Sequence, residues 1–188
     1  LSRGLGDVYK RQVTYGDTLT LTANVSKQLS ALNSLSLLSV DDDKVEFYVG
    51  DTLLGTAEVT YDDDTAKDSG TATLTINTVN KQLAIGDNTI TAVYGGSVNL
   101  NGSENNSIAV TLNQKQVGLT WSGYDTRDYD KNASSVTAAA TGIEDGDDIA
   151  VTVMGGAETN AGEHTATAAL TGTGAKYYTL PEASTQSY

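Results

Sequence analysis

An all-β fold, built as tandem antiparallel β-sandwich modules, is predicted by three features of this sequence. Short stretches alternate apolar and polar residues with a period of two, the pattern of a strand with one wet face. They recur every ten to twenty residues with turn chemistry between them, the rhythm of a sandwich. Thr and Gly are abundant, Gly alone counting 19, which favours short strands and tight turns over long helices.

The elements follow in order. Leu19, Leu21, Ala23 and Val25 alternate with Thr18, Thr20, Thr22 and Asn24. Val45, Phe47 and Val49 alternate with Lys44, Glu46 and Tyr48, and the pattern runs into GDTLLGTAEVTY, where Gly50-Asp51 and Gly55 are expected to punctuate two strands. Ala72, Leu74 and Ile76 share one face of SGTATLTIN, as do Ile90, Ala92 and Tyr94 of GDNTITAVY. Ile108, Val110 and Leu112 close the series. Residues 26–43 break the rhythm, and the spacing of Leu29, Leu32, Leu35, Leu37 and Leu38 predicts a short amphipathic helix packed on the surface.

After Lys115 the texture shifts. VGLTWSGYDTRDYD, SSVTAAATG, DDIAVTVMGG and EHTATAAL read as further strands with thinner, Ala- and Thr-rich side chains. The domain boundaries are therefore set at 1–12 for a leader, 13–114 for the first module and 115–188 for the second. With no Pro or Gly/Ser tract between them, the two modules are expected to sit end to end.

Composition narrows the function. The net charge is −13, and without the first twelve residues it is −15, from 8 basic against 23 acidic residues. Such a chain repels phosphate backbones, so no nucleic-acid partner is expected, and anionic membranes are disfavoured. No apolar run reaches the roughly 18–20 residues of a membrane span, so no membrane insertion is expected in this segment. There is no cysteine, which excludes disulfides and thiolate zinc sites. With one Trp and one Phe, the core must come mainly from Val, Ile, Leu and Ala.

One internal echo stands out. Gly86-Asp87-Asn88-Thr89-Ile90-Thr91-Ala92 matches Gly162-Glu163-His164-Thr165-Ala166-Thr167-Ala168. It reads as one device used twice, a glycine turn whose first strand side chain bonds back to it. Echoes of this kind point to tandem modules.

VTYGDTLTLTANV, KVEFYVGDTLLGTAEV, GTATLTI and LGDNTITAVYGGSVNLNGSENNSIAVTL occur in an order that resembles the bacterial Ig-like domains of group 3. The insertion at 26–43 departs from that family, where many members have a short Pro-containing turn. Residues 116–188 resemble the modules that follow Ig-like repeats in large Gram-positive surface proteins, often tagged Tyr-Asp-Gly. Here Tyr129-Asp130 is followed by Lys131. A further strand would normally follow YYTLPEASTQSY, so the second module is expected to be incomplete at its C-terminus. The resemblance implies an extracellular protein, secreted or on the bacterial cell surface, that serves spacing and adhesion. It brings no active-site residues.

The residues themselves offer little chemistry. His164 is the only histidine, there is no G-x-S-x-G elbow, and no enzyme activity is expected. The acidic clusters are Asp41 to Asp43, Asp62 to Asp64 with Asp68, and Asp145, Asp147 and Asp148. They are read as solvated loop tips that keep a β protein soluble. Asp62, Asp64 and Asp68 are the best calcium candidates, although DDDTAKDSG lacks the EF-hand order, and no cofactor is assigned. Trp121, Tyr124, Tyr129, Tyr177 and Tyr178 could stack on sugars, but core packing is the favoured reading. A Lys–Asn crosslink would need a buried lysine, which is rare. LPEAS is similar to a wall-sorting signal but lacks its Thr-Gly, and a strand-ending turn at Pro181 is the better reading.

The sequence thus reads as a structural spacer, a stalk segment whose partners are neighbouring repeats of the same chain. The alternative is an adhesin or glycan-binding module that contacts a protein or glycan ligand directly. LSRGLGDVYKRQ resembles the translated sequencing-adapter peptides at the ends of metagenomic reading frames and is expected to be non-native. On that reading residues 1–6 make few contacts and residues 6–12 borrow a vacant sheet edge.

Overall fold

A computed structural model of the chain describes residues 2–5, 11–28, 43–66, 68–95 and 103–188. The chain divides into two compact units, Leu1–Asn113 and Gln114–Tyr188. Each is all-β.

The first unit holds eight strands: β1 (Ser2–Leu5), β2 (Arg11–Thr14), β3 (Thr18–Gln28), β4 (Lys44–Val49), β5 (Thr52–Tyr61), β6 (Ser69–Asn77), β7 (Gly86–Tyr94) and β8 (Ser103–Asn113). Their hydrogen-bonded order is β1-β3-β6-β5-β4-β7-β8-β2. Strand β5 belongs to both halves of this array. Lys44 to Phe47 face Gly55 to Glu58, while Val59 to Tyr61 pair with Gly70 to Ala72 of β6. One strand switching partners in mid-run folds a single array into the two layers of a sandwich. Gly55 therefore lies inside a strand and does not punctuate two. It sits opposite Phe47, where the β4–β5 register shifts, and Leu74 of β6 packs over it. A Cβ on Gly55 would stand 2.8 Å from Leu74 Cδ1, so only glycine admits that side chain without a shift.

Most of the core comes from the inward residues that the period-two pattern predicts, although Val49 and Leu74 are only half-buried and Tyr15, Leu54 and Leu83 join it from outside those patterns. Leu19, Leu21, Ala23 and Val25 are buried on β3, Val45 and Phe47 on β4, and Ile90, Ala92 and Tyr94 on β7. Ile108, Val110 and Leu112 of β8 are fully buried. Each such Val, Leu, Ile or Phe contributes about 1.5–3 kcal/mol by leaving water. Strand β3 runs on through Ser26 to Gln28. The rest of the segment expected to be helical lies outside the described residues as far as Asp43.

The first residues are used differently from the expectation. Ser2 to Leu5 form a ladder with Val25 to Gln28, so residues 2–5 do not stand apart as expected. The open edge of β3 takes up extended backbone whatever its side chains. Arg11 to Thr14 pair in parallel with Val110 to Asn113 on the other sheet, and Tyr15 N–H extends the ladder by donating to Asn113 O at 2.9 Å.

Thr78 fixes the turn between β2 and β3. It opens the short 3-10 turn Thr78–Asn80 and is fully buried. Its hydroxyl donates to Asp17 O at 2.8 Å and accepts from Gly16 N at 2.9 Å.

The second unit holds β9 (Lys115–Gln116), β10 (Gly118–Ser122), β11 (Thr137–Thr141), β12 (Ala150–Met154), β13 (Thr165–Thr171), β14 (Tyr178–Thr179) and β15 (Thr185–Ser187). β10 pairs with β11, β12 with β13, β13 with β15, and β9 runs parallel to β14. Ser134 N–H to Glu158 O and Val136 N–H to Gly156 O join the approach to β11 with the exit from β12. The thin side chains read from the sequence leave a thin core. Val117, Val136, Ala166, Ala168, Tyr177 and Tyr178 are buried, but no residue of β10, β11 or β12 is.

Thr78→Val keeps the shape but strips Gly16 N and Asp17 O of a buried partner. We expect it to destabilise the first unit by about 1–3 kcal/mol in urea unfolding followed by circular dichroism. A loss below about 0.5 kcal/mol, typical of a neutral surface change, would show that the turn does not depend on this hydroxyl.

Candidate functional site

The three acidic clusters meet three different fates. Asp41 and Asp42 lie outside the described residues, but Asp43 is not a solvated loop tip. It is buried, and its two carboxylate oxygens accept from the hydroxyls of Tyr61 and Tyr94. Tyr61 ends β5 beside β6, and Tyr94 ends β7 beside β4, so one carboxylate ties the two sheets. A carboxylate tolerates burial only when it is well bonded, and here two phenols supply the bonds. The sequence carried no local signal of this, because Tyr61 and Tyr94 lie 18 and 51 residues away from Asp43.

In the second cluster, Asp62 N–H donates to Ser69 O at 2.9 Å and its carboxylate accepts from the Ser69 hydroxyl, closing the β5–β6 hairpin. Asp63 Oδ1 accepts from Ala66 N and Thr65 N, which holds its carboxyl below the ordinary range. Among the described residues no three acidic or histidine side chains gather as a metal site. Asp62, Asp64 and Asp68 share a loop without converging.

In the third cluster, Asp148 accepts from Thr173 N and the Thr173 hydroxyl, fixing the turn after β13. Asp147 Oδ2 accepts from the Tyr178 hydroxyl at 2.6 Å, and the Tyr178 phenol oxygen in turn accepts from Glu144 N at 2.8 Å. Burial, together with the hydrogen bond to Asp147, pushes the Tyr178 phenol up to about 12. Lys115 Nζ contacts the Glu144 carboxylate of the same unit, both side chains being partly exposed.

The echo is one device in both units. Gly86 and Gly162 take φ values of +96° and +140°, backbone that side-chain-bearing residues seldom adopt. Two residues on, Asn88 Nδ2 donates to Ala84 O at 2.8 Å, and Asn88 Oδ1 accepts from Ala84 N at 3.0 Å. His164 Nε2 bonds Asn160 O at 2.8 Å, again four residues back, which sets Nε2 as the protonated nitrogen. His164 thus closes a turn, and its ring lies 5.7 Å from that of Tyr188.

The aromatic residues divide. Tyr177 and Tyr178 belong to the core, and Trp121 is half-buried on β10. Tyr124 and Tyr129 are not core residues, being 41% and 65% exposed. They sit on loops, where no strand face draws them inward. A cleft of about 360 Å³ opens between the β10–β11 and β12–β13 connections, with Tyr129, His164 and Tyr188 on its walls.

The sequence of residues 8–113, more than half of the chain, matches the family described as bacterial Ig-like domain (group 3). The chain belongs to that family. The bacterial Ig-like match takes in β2 to β8 and therefore the parallel β2–β8 ladder, the Asp43 clamp and the Asn88 turn. Bacterial Ig-like domains of this group are non-catalytic structural domains, typically extracellular or on the cell surface. No curated protein matches the chain. No helix of the described residues is long and apolar enough to cross a membrane.

Two outcomes test these networks. Asp43→Ala removes the acceptor shared by Tyr61 and Tyr94, and should destabilise the bacterial Ig-like unit by about 1.5–3 kcal/mol in urea unfolding, with Tyr94→Phe losing part of that. The second concerns pH. The folded pKa of Tyr178 lies above its unfolded value of about 10. Its contribution is therefore fully present below about pH 10 and is lost as pH rises through about 12. Ultraviolet titration should show a late-ionising phenol that disappears in Tyr178→Phe. An unchanged titration in that variant would refute the assignment.

Proposed function

We propose that the chain is a spacer segment of a bacterial cell-surface or secreted multi-repeat protein, holding other domains away from their anchor. Its partners on this reading are neighbouring repeats of the same chain. The observation that supports it most is the parallel pairing of Arg11–Thr14 with Val110–Asn113. The first strand of the region matched to the Ig-like family and its last strand lie side by side in one direction. Tension applied through the two ends pulls them past each other along their common axis. The ladder is then loaded in shear, with its bonds strained together, whereas a hairpin pulled at its open end breaks them one by one. The Asp43 clamp and the Thr78 lock support the same reading, since they hold the layers and the first turn in register. Ser2–Leu5 serves as an edge strand on β3 whatever its origin. The excess of acids favours solubility of such a segment and discourages association with its own copies.

A second reading, direct contact with a glycan, is supported by Tyr129 at the cleft of the second unit.

The spacer reading is tested by stretching the chain between handles at its two ends in magnetic tweezers. The first unit should unfold in one step, at a clearly higher force than a Val13→Pro variant, whose proline disrupts the ladder opposite Leu112. Equal unfolding forces for the two proteins would remove the mechanical argument.

A further inference from the structure

The cleft of the second unit is a braced cavity with an outward-facing aromatic residue, and neither the spacer role nor the core needs it. Three of its lining residues, Ser134, Glu158 and Tyr188, belong to one connected set of hydrogen bonds. Ser134 Oγ donates to Gly156 O at 3.1 Å and accepts from Glu158 N at 2.7 Å. It also lies 3.0 Å from the Tyr188 hydroxyl, which donates to Gly155 O at 2.7 Å. These bonds join both loops and the last residue of the chain, so the cavity is built before any ligand arrives. The rim is braced as well. Arg127 donates to Asn132 O at 2.6 Å and lies 3.8 Å from the Asp130 carboxylate, which accepts from Asn132 N at 2.9 Å. Between them Tyr129 stands 65% exposed on a loop held from both sides.

The lining decides the class of ligand. Asp125, Asp128, Asp130 and Glu158 place four carboxylates around one guanidinium, Arg127, so an anionic ligand is repelled. Asp125 and Asp128 make no hydrogen bond or ion pair with the described residues, which leaves unengaged acceptors in the lining. Arg127, Asn132 and Asn160 bring donors to the same lining. Donors and acceptors interleaved around an exposed ring suit a molecule with many hydroxyls and an apolar C–H face. At about 360 Å³ the cleft also falls within the usual range of small-ligand sites. We propose that this cleft binds a short stretch of neutral saccharide, with Tyr129 stacking on a sugar ring and the carboxylates accepting from its hydroxyls. The spacer segment then also carries a glycan contact, and the two roles stand or fall separately, because the shear-loaded ladder belongs to the first unit.

The test is a glycan array probed with the full chain. It carries neutral oligosaccharides (cellohexaose, xylohexaose, mannohexaose and N-acetylated chitohexaose), cationic chitosan oligomers and poly-lysine, and anionic heparin fragments. Titration calorimetry then follows on the best neutral binder. Binding should favour a neutral oligosaccharide and weaken about tenfold or more in Tyr129→Ala, the scale of one lost stacking contact. Tyr124→Ala removes an exposed tyrosine that does not line the cleft, and should bind as the parent does. Both variants alter exposed rings, and matching thermal melts would show that the fold is kept. Absence of binding to every neutral oligosaccharide, preference for chitosan or poly-lysine, or binding indifferent to Tyr129 would each overturn the proposal.

Discussion

The parallel ladder between residues 11–14 and 110–113 is the constraint on which the rest of the first unit depends. A sandwich of this kind must begin somewhere, and its first strand has two sheets to choose from. Here the chain uses both. Ser2–Leu5 lies on β3 in one sheet, and Arg11–Thr14 lies on β8 in the other. β3 and β8 are thereby paired on both sides, and the edges of the array pass to the two short strands β1 and β2. The ladder also places the first and last strands of the matched Ig-like region side by side, which is why tension across that region becomes shear.

Every other device in that unit keeps this ladder in register. The switch of β5 between β4 and β6 makes the two layers continuous in hydrogen bonds. The buried Asp43 carboxylate adds a second, polar tie between them. Thr78 holds the turn that carries the chain from β2 to β3. The second unit works with less apolar mass. Its strands leave their inner faces half-open, and side-chain hydrogen bonds at Tyr178, Asp148 and Ser134 fix its turns. Small Ala- and Thr-rich domains have little surface to bury, and polar bracing of the loops supplies part of the definition that packing does not.

What was legible in the sequence follows from range. The strands are local patterns, and β3, β4, β6, β7 and β8 lie where alternation places them, with the predicted faces buried except at Val49 and Leu74, which are half-buried. The shared turn of Asn88 and His164 was legible too, because a side chain reaching four residues back is a local event. Whatever depended on distant partners was not. Asp43 looked like its neighbours in an acidic run until two tyrosines from different sheets met it. Gly55 looked like a turn because nothing in its own strand reveals that Leu74 lies above it. Thr78 gave no sign at all, since its partners lie more than sixty residues earlier. The loops around Tyr129 read as strand and core because aromatic residues usually belong there, and only the fold shows that no face was available to bury them.

The central claim is that the first and last strands of the Ig-like unit form part of its cooperative core and are not a fraying edge. Hydrogen–deuterium exchange on the intact chain measures this directly. The account predicts that the Tyr15 amide, bonded to Asn113 O, exchanges as slowly as amides of β3 and β6, opening only when the whole unit unfolds. Fast exchange of Tyr15 and the β2–β8 amides, with β3 and β6 still protected, would contradict it.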